Sequence, residues 1–246
     1  MKIEIRALRD TTRELMSYLF PPYRKISKDP KIDYKANHIL FRSGIIYGKI
    51  GSGKTTTVLS LFNRAVRKYG VDRCNVVIKD EGSLQDLVDC MDGRAVQLLF
   101  LDDFTLQDID EDEIRGFYRI RHLWSEAYNR NTGLIVAFFG THRFHGLSLE
   151  IRTNADILIA RSVPLNPYDR GELKRILGDE AIEYLEALES KVNLKHNRSM
   201  MKYSVVKFLD RVGVLNTALP RKLLFSFRNR FSIPIEDVEE YVKEMS

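Results

Sequence analysis

The sequence predicts a three-layer α/β fold, with a mainly parallel central sheet between helices and a small, mostly helical C-terminal region. Three observations predict it. From Gly44 onward, short apolar runs alternate with longer amphipathic ones, as in successive βαβ units. A glycine-rich loop stands between the first such run and the first such helix. A later run, Val96 to Leu101, ends in two adjacent carboxylates, Asp102 and Asp103.

The 246 residues suffice for one large α/β domain or for a domain with an appendage. Composition divides them into an N-terminal extension (1–43), a core (44–180) and a basic C-terminal region (181–246). Hydrophobic residues make up 44% and charged residues 30%, which is ordinary for a globular protein. No apolar run approaches the ~18 residues of a membrane span, and Met1 to Arg6 holds no signal-peptide core, so an intracellular, cytoplasmic chain without membrane insertion is expected. Cys74 and Cys90 have no metal-ligand spacing and are expected to be reduced and packed. The net charge of +5 favours a polyanionic partner. Much of it lies late in the chain, where Arg198, Lys202, Lys207, Arg211, Arg221, Lys222, Arg228 and Arg230 stand against Asp210 alone between His196 and Pro234.

In the extension, Ala7 to Phe20 has helical spacing and stops at Pro21-Pro22, where a helix cannot easily continue. Tyr23-Arg24-Lys25-Ile26-Ser27-Lys28 is basic and without period, and reads as a surface arm. Such an arm is a solvated linker, or it wraps a neighbouring subunit or touches a phosphate backbone. Strands are predicted at Gly44 to Tyr47, Asn75 to Lys79, Val96 to Leu101, Leu134 to Phe139 and Asp156 to Ala160. Helices are predicted at Thr55 to Tyr69, Ser83 to Met91, Glu111 to Arg130 and Leu147 to Arg152. Ile114, Phe117, Tyr118, Arg121, Trp124 and Tyr128 recur at spacings of three and four, and the aromatics among them read as a core face. Beyond them, Glu172 to Leu177, Ala181 to Leu188 and pieces from Met200 onward read as helical. Their basic residues, with Tyr203, Phe208, Phe225, Phe227 and Phe231, make a lid, a DNA-binding module or a solvated face over a core.

Gly48-Lys49-Ile50-Gly51-Ser52-Gly53-Lys54-Thr55 fits the pattern G-x-x-x-x-G-K-[ST] without a mismatch. Glycines let the backbone curl and turn successive N–H groups inward, and the positive end of the following helix, with Thr56 in its first turn, backs this anion-binding concavity. Lys54 would charge-pair with β and γ phosphates, and the Thr55 hydroxyl would take one Mg²⁺ position. A strand ending in Asp102-Asp103 at the same sheet edge looks like a Walker B element, with Asp102 supporting the metal and Asp103 polarising the attacking water. At the end of the next strand, Thr141 or His142 is a candidate γ-phosphate sensor or an ordinary turn residue. Arg152 and Arg161, with Arg143 as a third, are candidates to stabilise transition-state charge on a neighbouring subunit.

Over residues 44–180 this order of elements resembles the additional-strand class of P-loop ATPases, which includes RecA-like and AAA+ proteins. Tyr128-Asn129-Arg130-Asn131-Thr132-Gly133, Gly140-Thr141-His142-Arg143 and Arg152-x-Asn154-Ala155-Asp156 look like the HerA–FtsK group of DNA-pumping ATPases. That group includes viral genome-packaging motors and plasmid-transfer coupling proteins. The resemblance implies ATP, DNA as partner, an origin in a virus, plasmid or other mobile element, and a ring-like homo-oligomer, often hexameric, with arginine completing each interface. Two features depart from that group: Asp-Asp stands where Asp-Glu is usual, and Thr-His where Gln is frequent. The Leu-Asp-Asp ending is also similar to helicase loaders and initiator-like AAA+ proteins, which work with a protein partner. A third reading is a nucleotide-gated binding protein with little hydrolysis.

Overall fold

The computed structural model describes residues 8–27, 38–79, 84–102, 114, 119–147, 149–195, 202–218 and 223–224. Helices α1 (Thr12–Leu19) and α2 (Tyr23–Ile26) precede strand β1 (His38–Tyr47). There follow α3 (Lys54–Tyr69), β2 (Cys74–Lys79), α4 (Leu84–Asp89), β3 (Val96–Leu101), α5 (Ile120–Tyr128), β4 (Thr132–Thr141), α6 (Leu149–Asn154) and β5 (Ile157–Ala160). Helices α7 (Pro167–Leu177) and α8 (Asp179–Lys195) lead to β6 (Tyr203–Phe208) and β7 (Arg211–Asn216). One seven-stranded sheet runs β2-β3-β4-β1-β5-β6-β7. The first five strands are parallel, and β6 and β7 extend the sheet as an antiparallel hairpin.

Strand periodicity builds the layers. In β4, Leu134, Val136 and Phe138 face a cluster with α1, α2 and α3, while Ile135, Ala137 and Phe139 face a cluster with α4 to α8. Both faces of the central strands are therefore apolar, which is why Leu98 to Leu101 of β3 and Leu134 to Phe139 of β4 read as unbroken hydrophobic runs. In α3, Val58, Leu61, Phe62, Ala65, Val66 and Tyr69 are buried at helical spacing, and Phe62 packs on Phe138 with ring centroids 6.4 Å apart.

Several elements differ from expectation. β1 begins at His38 because its first half pairs with Thr132 to Ala137 of β4. The arm at Tyr23 folds into a helical turn with Ile26 buried and Arg24 and Lys25 exposed. The pieces expected to be helical from Met200 include two strands, with Val205, Val206, Val214 and Leu215 buried between β5 and the N-terminal segment. β-branched residues at alternating positions fit a pleated sheet better than a helix. Helix α7 begins at Pro167, five residues before its expected start, because Asn166 caps it by accepting the Tyr168 amide at 2.9 Å and proline suits the first helical position. Phe117, Tyr118 and the aromatic tail from Phe225 lie outside the described residues.

Two outcomes follow from this core. Phe138→Ala is expected to cost about 3–5 kcal/mol, read as a lower urea midpoint at unchanged slope. Burial pushes the Cys74 thiol up to about 12, so it stays neutral at pH 8. A neutral thiol is a poor nucleophile, and iodoacetamide at pH 8 is expected to label the half-buried Cys90 well before Cys74 until the chain unfolds.

Candidate functional site

The register of β1 assembles the site. Tyr47, its last residue, pairs with Thr141 on one side and Ala160 on the other, while Leu101 of β3 pairs with Phe139. The residues that follow, Gly48, His142, Asp102 and Arg161, therefore leave one sheet edge together. The Gly48 amide donates to the Thr141 carbonyl at 3.0 Å, the Arg161 amide to the Tyr47 carbonyl at 2.9 Å, and the Asp102 amide to the Lys79 carbonyl at 2.7 Å.

The glycine loop then turns into α3. Gly51 and Gly53 have φ of 74° and 87°, a region that side chains disfavour. A Cβ on Gly48 would lie 2.2 Å from the Ser52 Oγ, and one on Gly53 would lie 2.9 Å from Arg161 Nη2. The loop is thus closed by its own side chains, with the positive end of a 16-residue helix behind it. Lys54 is buried, with Nζ 3.7 Å from Asp102 Oδ1, and the Thr55 hydroxyl donates to Asp102 Oδ2 at 2.7 Å. A Cβ on Gly140 would lie 2.3 Å from Asp102 Oδ1, so glycine there makes room for the carboxylate. Lysine, hydroxyl and carboxylate converge from two elements far apart in sequence.

Strand β4 lies between β1, which leads into the glycine loop, and β3, which ends at Asp102. The fold is that of an additional-strand P-loop NTPase. Its donor set suits a nucleotide phosphate with Mg²⁺: the N-terminal turn of α3, a buried lysine, and a hydroxyl beside one carboxylate. Ser52 Oγ is buried with no hydrogen-bond partner among the described residues, as an atom facing a phosphate would be. No group of three His, Cys, Asp or Glu able to hold a metal occurs among the described residues, so a metal here would draw other ligands from phosphate and water.

No family model matches the chain, and no curated protein matches it by sequence. Among solved structures it is similar to the genome packaging NTPase B204 of Sulfolobus turreted icosahedral virus 2 in complex with sulfate. That similarity has 15% identity, covers 72% of this chain and 97% of the other, and has a TM-score of 0.48. The DNA-packaging ATPase B204 of Sulfolobus turreted icosahedral virus gives 13%, 71%, 97% and 0.46 in the same order. For the pCW3 conjugation coupling protein TcpA with ATPγS the values are 9%, 77%, 62% and 0.33. The strand order and the loop, rather than these likenesses, define the fold.

The remaining candidates have different surroundings. Thr141 is fully buried, and its hydroxyl is used in its own turn, donating to the Arg143 carbonyl at 3.0 Å and accepting the Arg143 amide at 3.1 Å. His142 is half-buried at the same edge. Arg152 on α6 has Nη1 3.5 Å from Glu172 Oε1 and its guanidinium 5.9 Å from the Phe144 ring centre. Within the loop, the Lys49 amide donates to Ser162 Oγ at 2.8 Å, Ile50 is exposed at the tip, and Thr56 is buried in the first turn of α3. Asp103 lies outside the described residues.

Arg161 requires a correction. Its Nε donates to the Ser52 carbonyl at 3.0 Å, and its Nη1 to the Tyr203 carbonyl, Ser204 Oγ and Thr217 Oγ1 at 3.1, 2.9 and 2.8 Å. At 8% exposure it is enclosed by its own chain, so it braces the loop from within rather than reaching a neighbouring subunit.

Two side chains escaped the sequence reading. Buried Asp169 accepts the Phe144 and His145 amides at 3.2 and 2.7 Å and pairs with His145 Nδ1 at 2.6 Å, fixing the segment after β4. Glu189 on α8 pairs with Lys49 at 3.1 Å and accepts the Val163 amide at 2.8 Å. Burial, together with the Asp169 and Glu189 charges, raises the Tyr47 pKa, so the phenol stays neutral. Asp169 and Glu189 are single acids in amphipathic helices and carry no distinguishing spacing. Gly140 had a weak signal, a glycine at a strand end beside the acidic strand.

Arg161→Ala would leave the Ser52 carbonyl and two hydroxyls without their donor. Each buried orphan costs roughly 1–3 kcal/mol, so the nucleotide-free variant is expected to unfold at clearly lower urea. An unchanged midpoint would overturn the bracing role.

Proposed function

We propose that this protein is a Mg²⁺-dependent ATPase that acts on DNA, in translocation, packaging or transfer, as a ring-like homo-oligomer. The observation that supports it best is the 2.7 Å hydrogen bond from Thr55 to Asp102, with Lys54 buried beside the same carboxylate. In this reading the Gly48 and Lys49 amides anchor the loop, the amides of Gly51 and of Gly53 to Thr56 orient the phosphates, and Lys54 neutralises the charge that grows on them. Thr55 and Asp102 would hold Mg²⁺, which when bound would supply Lewis-acid stabilisation of the transferring phosphoryl group. Asp103 orients the attacking water and takes its proton, with Thr141 holding the turn that carries His142. Arg152, with Arg143, is the candidate to act in trans; Arg161 acts in cis on the loop.

The DNA partner is supported by the basic balance of the chain and by its resemblance to the HerA–FtsK group. ATP, rather than another nucleotide, rests on that resemblance. The Leu101-Asp102-Asp103 ending supports a second reading, a helicase loader or initiator whose ATP state switches contacts with a protein partner.

The test is steady-state ATP hydrolysis with Mg²⁺, with and without duplex and single-stranded DNA. Lys54→Ala and Asp103→Asn are expected to lower the rate by about 10²-fold or more while leaving the unfolding curve in place. DNA is expected to raise the wild-type rate at low salt and to lose that effect at high salt. An undiminished rate in Lys54→Ala would overturn the site. A wild-type rate indifferent to DNA would overturn the DNA reading and favour the loader.

A further inference from the structure

The basic arm singled out in the sequence does not stand alone. It is seated on the far end of the phosphate-loop helix: the Lys68 ammonium donates to the Phe20 carbonyl, the Tyr69 hydroxyl donates to the Pro21 carbonyl at 2.6 Å, and the Arg73 guanidinium lies 4.5 Å from the Tyr23 ring centre. Exposed Arg24 and Lys25 of α2 are thereby set beside exposed Arg67, Lys68 and Arg73, and Asp72 is the single acid in these two segments.

A helix C-terminus favours cations, and this accounts for Arg67 and Lys68 on their own. It does not account for the arm. Bringing two more cations from more than forty residues upstream onto a cationic helix end adds like-charge repulsion, which the chain could avoid with neutral residues there. Repulsion of this kind is relieved when a polyanion lies across the surface and its counterions are released. The geometry points to a composite surface of Arg24, Lys25, Arg67, Lys68 and Arg73 that binds the phosphate backbone of a DNA duplex. This rests on the DNA reading above and assigns that reading a surface.

Chemistry favours nucleic acid over a lipid face. An interfacial membrane site needs large apolar anchors beside the cations, and Val71 is the one large apolar side chain exposed here among the described residues. Helix α3 rises about 1.5 Å per residue, so the patch lies roughly 20 Å along the helix from Lys54. It is therefore separate from the phosphate site, yet joined to it by one rigid element.

The test compares duplex binding, by fluorescence anisotropy over a salt series, for three full-length proteins: wild type, Arg24→Glu/Lys25→Glu and Lys174→Glu/Arg175→Glu. The last changes net charge equally at exposed positions on α7. The arm variant is expected to bind at least tenfold more weakly, with a salt slope shallower by about 0.9 for each phosphate that it no longer neutralises. The α7 variant is expected to change less than threefold, and DNA-free ATP hydrolysis is expected to be unchanged in both. Arg67→Glu, on the other element, is expected to weaken binding in the same direction, and Arg24→Ala/Lys25→Ala to give a smaller loss than the glutamates. Duplex binding retained by the arm variants, or an equal loss in the α7 variant, overturns this surface and leaves the DNA reading standing. A wild-type chain that binds no duplex, or that binds phosphatidylserine vesicles instead, overturns both.

Discussion

The position of β1 between β4 and β5 is the constraint on which the rest of the structure depends. Its last residue is in register with the last residues of both neighbours, so three chains leave the sheet at one level. The Gly48 amide is then within hydrogen-bond distance of the Thr141 carbonyl, and the Arg161 amide of the Tyr47 carbonyl. Shifting β1 by one residue would turn Ile45 and Tyr47 onto the face that Ile46 occupies and would take the glycine loop away from Asp102. The apolar alternation that fixes the core also fixes the site.

From that edge the loop is held by different groups on each side. Toward β3, Thr55 and Lys54 meet Asp102, which fits because position 140 carries no side chain. Toward β5, Ser162 receives the Lys49 amide, Glu189 pairs with the Lys49 ammonium, and Arg161 donates to the Ser52 carbonyl. These contacts anchor the start of the loop through the Gly48 and Lys49 amides and hold Lys54 and Thr55 at the first turn of α3. Preorganised donors of this kind need little rearrangement to meet developing charge, which is where electrostatic catalysis gains most.

Much of this was legible in the sequence, and the reasons are local. The glycine loop is written in consecutive residues whose chemistry has few other uses, and Val96 to Leu101 is an apolar run broken only by Gln97, as a strand buried on both faces requires. The hairpin β6–β7 was less legible because its Lys207, Asp210 and Arg211 obscure the alternation of Val205, Val206, Val212 and Val214. Asp169 and Glu189 could not be read at all. Each acts through a backbone amide or lysine more than twenty residues away, and nothing adjacent in sequence marks such a contact. Arg161 was found for its charge and its place at a strand end, and only the surrounding acceptors distinguish a brace from a finger.

That distinction bears on how the C-terminal region relates to the site. Arg161 bonds at once to the phosphate loop, to the start of β6 and to Thr217, just beyond β7. The phosphate-loop helix makes further contacts with the same stretch, from Ser60 to the Ala218 carbonyl and from Arg64 to the Asn216 carbonyl, both at 2.9 Å. The hairpin is therefore a wall of the site rather than a module attached to it. A displacement of residues 216–218 would therefore disturb Arg161 and two turns of α3 together, since the same few hydrogen bonds tie them.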